Sequence, residues 1–95
     1  MDAGEISGRI VTIDRFGNLI TNVDAALLRS LHQPALRLGP RSFNFVATYS
    51  DTAPGEYCAL INAFGVVELA CCQGNAATAL RAGRGTAIRV YDQNP

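Results

Sequence analysis

Lysine is absent from this sequence, and its eight arginines are offset by eight Asp and Glu residues to a formal net charge of +0 at pH 7. The arginines are scattered from Arg9 to Arg89. They form no patch with the field that draws a phosphate backbone, so no nucleic-acid partner is expected. No apolar run approaches the roughly 20 residues that span a bilayer as a helix. Met1-Asp2-Ala3-Gly4-Glu5 is acidic where a signal peptide begins basic. A cytoplasmic protein with no membrane partner is expected. Histidine occurs once against three cysteines, which favours free thiols over the alternative of a metal site. Cys58, Cys71 and Cys72 lie in apolar, strand-like stretches, and adjacent Cys71 and Cys72 should point to opposite faces of a strand. They read as buried free thiols, with no metal and no cofactor implied.

The 95 residues suffice for one domain with a modest core. Ile6 to Ile13 alternates and is rich in β-branched residues, which predicts a first strand; Leu19 to Val23 resumes that character after a break at Phe16-Gly17-Asn18. Asp24 reads as the N-cap of a short helix over 25–31 that Pro34 ends. Thr21 and Asn22 are expected to bond to backbone just ahead of that cap. Ser42 to Tyr49 predicts another strand, closed by the loop Ser50 to Glu56. Tyr57 to Ala63 and Val66 to Cys72 read as paired strands about a turn at Phe64-Gly65. Asn75 then caps a second short helix over 76–81, Thr86 to Tyr91 is a last strand, and Asp92 to Pro95 is a polar tail. About seven short strands and two short helices predict a mainly β fold, a closed or nearly closed small barrel of Greek-key-like course.

Polar residues embedded in these strands are where chemistry would sit. The Asn18 carboxamide is both donor and acceptor and can pair with the N6/N7 edge of an adenine. In an ordinary turn the same residue would simply close an Asx turn after Gly17. Gly17 would let backbone approach a ligand closely. Phe16, Tyr49 and Phe64 can serve as flat walls for a base, and backbone groups of Cys71 to Gln73 as further contacts. Core packing is the plain alternative for Phe16, and a strand-end tyrosine reaching for water the alternative for Tyr49. Glu68, a carboxylate in an apolar strand, must face solvent or be held by a partner. His32 reads as a surface residue at a helix end, and Asp14-Arg15 as a turn or a surface pair.

Taken in order, Phe16-Gly17-Asn18-Leu19-Ile20-Thr21-Asn22, Tyr49-Ser50-Asp51 leading to Pro54-Gly55-Glu56, and Asn62-Ala63-Phe64-Gly65 leading to Glu68-Leu69-Ala70 resemble the C-terminal domain of the S-adenosylmethionine hydroxide adenosyltransferases. These enzymes hydrolyse S-adenosylmethionine to adenosine and methionine and are related to the fluorinase and chlorinase. The likeness runs from about Ser7 to Val90. It implies that residues 1–95 are one domain of that kind, without the family's N-terminal catalytic domain. It further implies an adenosine site that uses Phe16, Asn18, Tyr49, Phe64, Glu68, Cys71 and Gln73.

In the family a Ser commonly follows the strand Asn and helps to hold the methionine end. Ala63 stands there in this chain, and its methyl cannot make that bond. The next residue is Arg in the fluorinase and Phe64 here, which is closer to the hydroxide-using branch. The resemblance implies S-adenosylmethionine or adenosine as ligand, and no catalytic residue in this chain alone. It also implies a partner, an N-terminal adenosyltransferase-like domain or a homo-oligomer, a trimer in the family. The alternative expectation is a structural or protein-interaction barrel that has lost its ligand.

Overall fold

The computed structural model describes residues 5–48 and 51–94. Its strands are β1 (Glu5–Ile13), β2 (Leu19–Asp24), β3 (Pro34–Leu38), β4 (Arg41–Asn44), β5 (Tyr57–Ile61), β6 (Val66–Cys71) and β7 (Ala87–Asp92). They form one sheet in the order β4-β3-β7-β1-β2-β6-β5, with every neighbouring pair antiparallel. Phe45 bridges Ala59 in parallel, and the Val46 N–H donates to the Ala59 carbonyl at 2.8 Å. That contact brings the two ends of the sheet together and nearly closes the barrel, which limits the edge that an open sheet would expose.

Alternation decides what fills the interior. Leu19, Thr21 and Val23 of β2, Val67 and Leu69 of β6, and Ile88 and Val90 of β7 are buried, and all but Thr21 belong to one apolar cluster with Ile10, Leu36 and Phe43. Thr21 is the polar member of the interior. Its hydroxyl donates to the Val67 carbonyl at 2.8 Å and accepts from the Val23 N–H at 3.1 Å, so its burial leaves no group unmet. Asn22, one residue on, accepts from the Arg9 N–H at 2.9 Å, as expected of a residue tying the chain down ahead of the cap.

Two short helices are present as expected, each with its expected cap. Asp24 accepts from the Ala26 N–H at 2.8 Å at the head of a 3-10 helix, Ala25–Leu28. Asn75 accepts from the Thr78 N–H at 2.9 Å at the head of α1, Ala76–Leu80. The first helix is shorter than its pattern predicts and stops well before Pro34.

The stretch after that helix departs furthest from expectation. Pro34–Leu38 is a strand although it lacks β-branched residues, because β7 imposes it. The Asp92 carboxylate accepts from the His32 and Gln33 N–H groups at 2.8 and 2.9 Å, and Pro34 to Arg37 then pair with Asp92 to Arg89. Proline is tolerated at the first strand position, where its missing N–H is least costly. Asp92 is thus the anchor of β3 rather than the start of a loose tail. His32 is exposed, with Nδ1 3.1 Å from the Asn94 carbonyl oxygen, and sits beside the end of β7 instead of at a helix terminus. The strand expected over 42–49 ends at Asn44, where the chain leaves β3 and crosses to β5.

Candidate functional site

The opposite face of β1, β2, β6 and β5 does not face open water as the outside of a small barrel usually does. Residues pointing away from the core at Thr12, Ile20, Glu68 and Leu60 form one cross-strand row, through the register pairs Thr12 with Ile20, Ile20 with Glu68, and Glu68 with Leu60. This row floors a groove of about 1180 Å³. Its walls are four loops, carrying Asp14 to Asn18, Ala47 and Thr48, Asn62 to Phe64, and Cys71 to Gly74. Beside it Cys58, Leu60 and Ala70 make a second small apolar cluster, covered by Val46. β6 is therefore buried on both faces, which is why it is apolar at every position except Glu68.

Six residues singled out from the sequence as adenosine contacts, Phe16, Asn18, Phe64, Glu68, Cys71 and Gln73, line this single groove, and so does Ala63. Tyr49 lies outside the described residues. Phe16 is 63% and Phe64 90% exposed, so they stand at the rim instead of packing in the core. The Arg15 guanidinium lies 5.0 Å from the Phe16 ring centre, which is where that arginine goes instead of pairing with Asp14.

Asp14 organises the Phe16-Gly17-Asn18 turn. Its Oδ1 accepts from the backbone N–H of Phe16 and of Asn18, both at 2.9 Å, and its Oδ2 accepts from Asn18 Nδ2 at 2.9 Å. The side-chain bond fixes the plane of the Asn18 carboxamide and decides which end is nitrogen. Gly17, at φ 85°, has a backbone that only glycine adopts without strain, and its carbonyl accepts from Ala77 at 2.9 Å. The close approach that this glycine permits within the fold is to the Asn75 cap of α1: a Cβ there would lie 2.1 Å from Asn75 Oδ1. The turn and α1 are locked together, and the lock presents Asn18 at one end of the groove.

At the other end Asn62 does comparable work. Its Oδ1 accepts from the N–H groups of Phe64 at 3.0 Å and Val66 at 3.3 Å, which aims its Nδ2 at Glu68 Oε1, 3.2 Å away. Glu68 is 5% exposed and so is the partner-held carboxylate of the two expected possibilities. Asp14 and Asn62 were absent from the sequence-based site. The signal that could have found them is the shared spacing of an Asx-type side chain four residues before a residue whose N–H it accepts, Asn18 in one case and Val66 in the other.

The cysteines also differ from expectation. β6 ends at Cys71, whose side chain packs against the main core cluster, and Cys72 follows in a turn; both residues border the groove. Cys72 Sγ donates to the Thr52 carbonyl at 3.7 Å. All three thiols are free, but only Cys58 is buried; burial pushes its thiol pKa up and keeps it unreactive. Among the described residues no group of three His, Cys, Asp or Glu could hold a metal ion, and no helix is long and apolar enough to cross a membrane.

The Asp14 turn predicts a pH response. Burial alone would raise the Asp14 pKa, but the bonds from Asn18 backbone and side chain and from the Phe16 and Gly17 backbone outweigh it and hold the carboxyl below the ordinary 3.8. Asp92 is lowered likewise, by the His32 N–H first, against burial, with Gln33 and Asn94 adding to it. A depressed folded pKa contributes stability above the unfolded value and loses it as pH falls through the folded value. The Phe16 and Asn18 amide resonances should therefore hold steady from pH 7 to about 4 and move with a midpoint below 3.8. A midpoint at or above that value would contradict the bonding described, and Asp14→Asn should abolish the step.

Comparison with known proteins agrees with this fold and extends it. Residues 8–89 match the model of the SAM hydroxide adenosyltransferase C-terminal domain. Two proteins named (R)-S-adenosyl-L-methionine hydrolase are similar. The one from Salinispora arenicola is 32% identical over 88% of this chain, and the one from Salinispora tropica 32% identical over 94%. The chain spans about a third of their length, 32% and 34% respectively. Among solved structures, an uncharacterized conserved protein from Thermotoga maritima superposes with a TM-score of 0.77 at 22% identity, over 96% of this chain and 37% of its own. A conserved hypothetical protein from Thermus thermophilus does so with 0.75 at 31% identity, over 88% and 34%. With a family match over residues 8–89 and relatives 32% identical across most of its length, this chain belongs to the SAM hydroxide adenosyltransferase C-terminal domain family.

Proposed function

We propose that the outer-face groove is the adenosyl-binding wall of a SAM hydroxide adenosyltransferase-like protein, one that uses water to split S-adenosylmethionine into adenosine and methionine in the cytoplasm. The observation that carries this reading is the meeting of Phe16, Asn18, Phe64, Glu68, Cys71 and Gln73 in one groove, with the Asn18 carboxamide held in a single orientation by Asp14. An adenine laid against Asn18 receives an edge contact from a preorganised amide. The turn at Cys71 to Gly74 adds backbone groups, and the rim aromatics offer faces for stacking. The relatives named (R)-S-adenosyl-L-methionine hydrolase support the substrate class.

The groove is one-sided. Phe64 and Phe16 project from its rim, and apolar side chains so exposed are expected to be covered. Under this reading an N-terminal adenosyltransferase-like domain, or a neighbouring copy in an oligomer, closes over them and brings the groups that hold the ribose and direct the water. Positioning and exclusion of solvent are then shared between the two halves, and this chain alone is not catalytic. Ala63 at the far end leaves the methionine part to that second half. The rival reading, a protein-interaction barrel without a ligand, draws on the same exposed Phe64.

A titration separates the two. Adenosine added to the isolated chain should bind at about millimolar affinity, on the order of 4 kcal/mol. It should shift the amides of Gly17, Asn18 and Cys71 to Gln73, while methionine leaves them in place. Asn18→Ala should weaken adenosine by roughly tenfold or more, as expected for a paired contact to a base edge. An unchanged spectrum at several millimolar adenosine would favour the interaction module instead.

A further inference from the structure

Three of the eight arginines, far apart in sequence, meet on the outer surface of the sheet away from the groove. The groove lies over β1, β2, β6 and β5, whereas the first half of β1 runs beside β7, β3 and β4. There Ser7 pairs with Arg89, Arg89 with Arg37, and Arg37 with Ser42, so two arginines stand directly opposite each other in one outward-facing row. Like charges so placed repel. Arg9 pairs with Ala87 in the next row, diagonal to Arg89 and within reach of its long side chain. Among the described residues Arg9 has no ion pair.

One carboxylate answers the opposed pair. Glu5 Oε1 accepts from Arg89 Nη1 and lies 3.9 Å from Arg37 Nη2. The Glu5 side chain is 18% exposed, against 43% for Arg37 and 55% for Arg89, so the acid lies beneath and the guanidinium groups lie outermost. The Arg37 guanidinium is also 5.4 Å from the Tyr91 ring centre, and the Tyr91 hydroxyl donates to Ser42 Oγ at 3.0 Å, which holds that ring in place. Guanidinium groups fixed in this way lose little freedom on meeting an anion. Arg9, Arg37 and Arg89 against Glu5 leave this face cationic, although the whole chain has a formal net charge of +0.

We propose that this face is a docking surface for an acidic segment of another protein, whose carboxylates pair with Arg9, Arg37 and Arg89 and complete the neutralisation that Glu5 begins. The planar guanidinium fork matches a carboxylate in bidentate fashion. Arginine and tyrosine ringed by Ser7, Ser42 and Asn44 have the make-up of a polar protein contact. A phosphate chain fits this face less well. Its affinity grows with the number of phosphates neutralised, and three arginines with a carboxylate among them offer few. The surface shares no side chain with the groove, so the proposal stands apart from the adenosyl-binding reading.

The test is an NMR titration of the full chain, at low salt, with a hexaglutamate peptide and separately with a thymidine oligonucleotide of similar charge. The peptide should move the amides of Ser7, Arg9, Arg37 and Arg89, leave those of Gly17 and Asn18 in place, and bind about threefold or more tightly than the oligonucleotide. Glu5→Gln removes the competing carboxylate and should strengthen peptide binding by about threefold, whereas Arg37→Gln combined with Arg89→Gln should weaken it by about tenfold. Equal binding of the oligonucleotide would make the face a general polyanion site and overturn the proposal. So would an unchanged spectrum at several millimolar peptide, a result that needs no variant to fold. A Glu5→Gln chain that binds the peptide no more tightly than the wild type would also overturn it, because the carboxylate would then not compete with the incoming acid.

Discussion

Gly17→Ala is expected to lower the stability of the domain by about 2 to 4 kcal/mol, a fall of roughly 10 to 25 °C in Tm for a chain of this size. Two costs combine. An alanine at φ 85° adopts a conformation that disfavours any Cβ, and that Cβ would stand 2.1 Å from both Cγ and Oδ1 of Asn75. Asn75 cannot simply swing away, because its Oδ1 caps α1 through the Thr78 N–H. Gly65 is the control. It too has a positive φ, 79°, but a Cβ there meets nothing within 4 Å. Gly65→Ala should therefore cost only the backbone term, about 1 to 2 kcal/mol. Thermal melts of the two variants give the comparison directly. The double variant with Asn75→Gly should be less damaged than the sum of its parts, since the clash partner is gone. If Gly17→Ala and Gly65→Ala melt together, the lock between the turn and α1 is not what holds Asn18 at the groove. Under the proposed adenosyl-binding reading, the same variant should also lose adenosine affinity, because Asn18 adjoins the displaced residue.

Leu69→Ala is expected to cost about 3 kcal/mol, within the range of roughly 2 to 5 for a buried leucine whose surroundings collapse only in part. Leu69 is 1% exposed and lies opposite Leu19, which is fully buried, under the strand that carries Glu68 on its other face. Its side chain fills the barrel while its backbone forms part of the groove floor, so the cavity left behind should loosen both. A urea titration would show the midpoint lowered with little change in slope. Phe64→Ala makes the contrast: with 90% of that residue exposed, the isolated chain should change by no more than about 0.5 kcal/mol. A mild effect at Leu69 would mean that the inside and outside of β6 are reversed, and a large one at Phe64 that its ring packs in the isolated chain instead of standing at the rim.

Local sequence patterns determined much of this protein. Strands that alternate and are rich in β-branched residues, such as β1, β2 and β7, could be placed within a residue or two, because a period of two is a property of the strand alone. The caps Asp24 and Asn75 were equally legible, since a side-chain oxygen next to the N–H groups of a first turn is a contact within three residues. The ordered motifs around Asn18 and Asn62 carried the family. Tertiary structure decided the rest. Pro34–Leu38 has no strand signature of its own and is held extended by Asp92, some sixty residues away in sequence. The crossing of Phe45 to Ala59 closes the barrel, and the Val46 beside it covers a patch on the outer face. Sequence alternation assigns Glu68 to the face away from the core, but whether that face meets water or a groove depends on which distant loops pass over it. Loops from four separate parts of the chain make those walls, and only their assembly turns an outward-pointing carboxylate into a buried one.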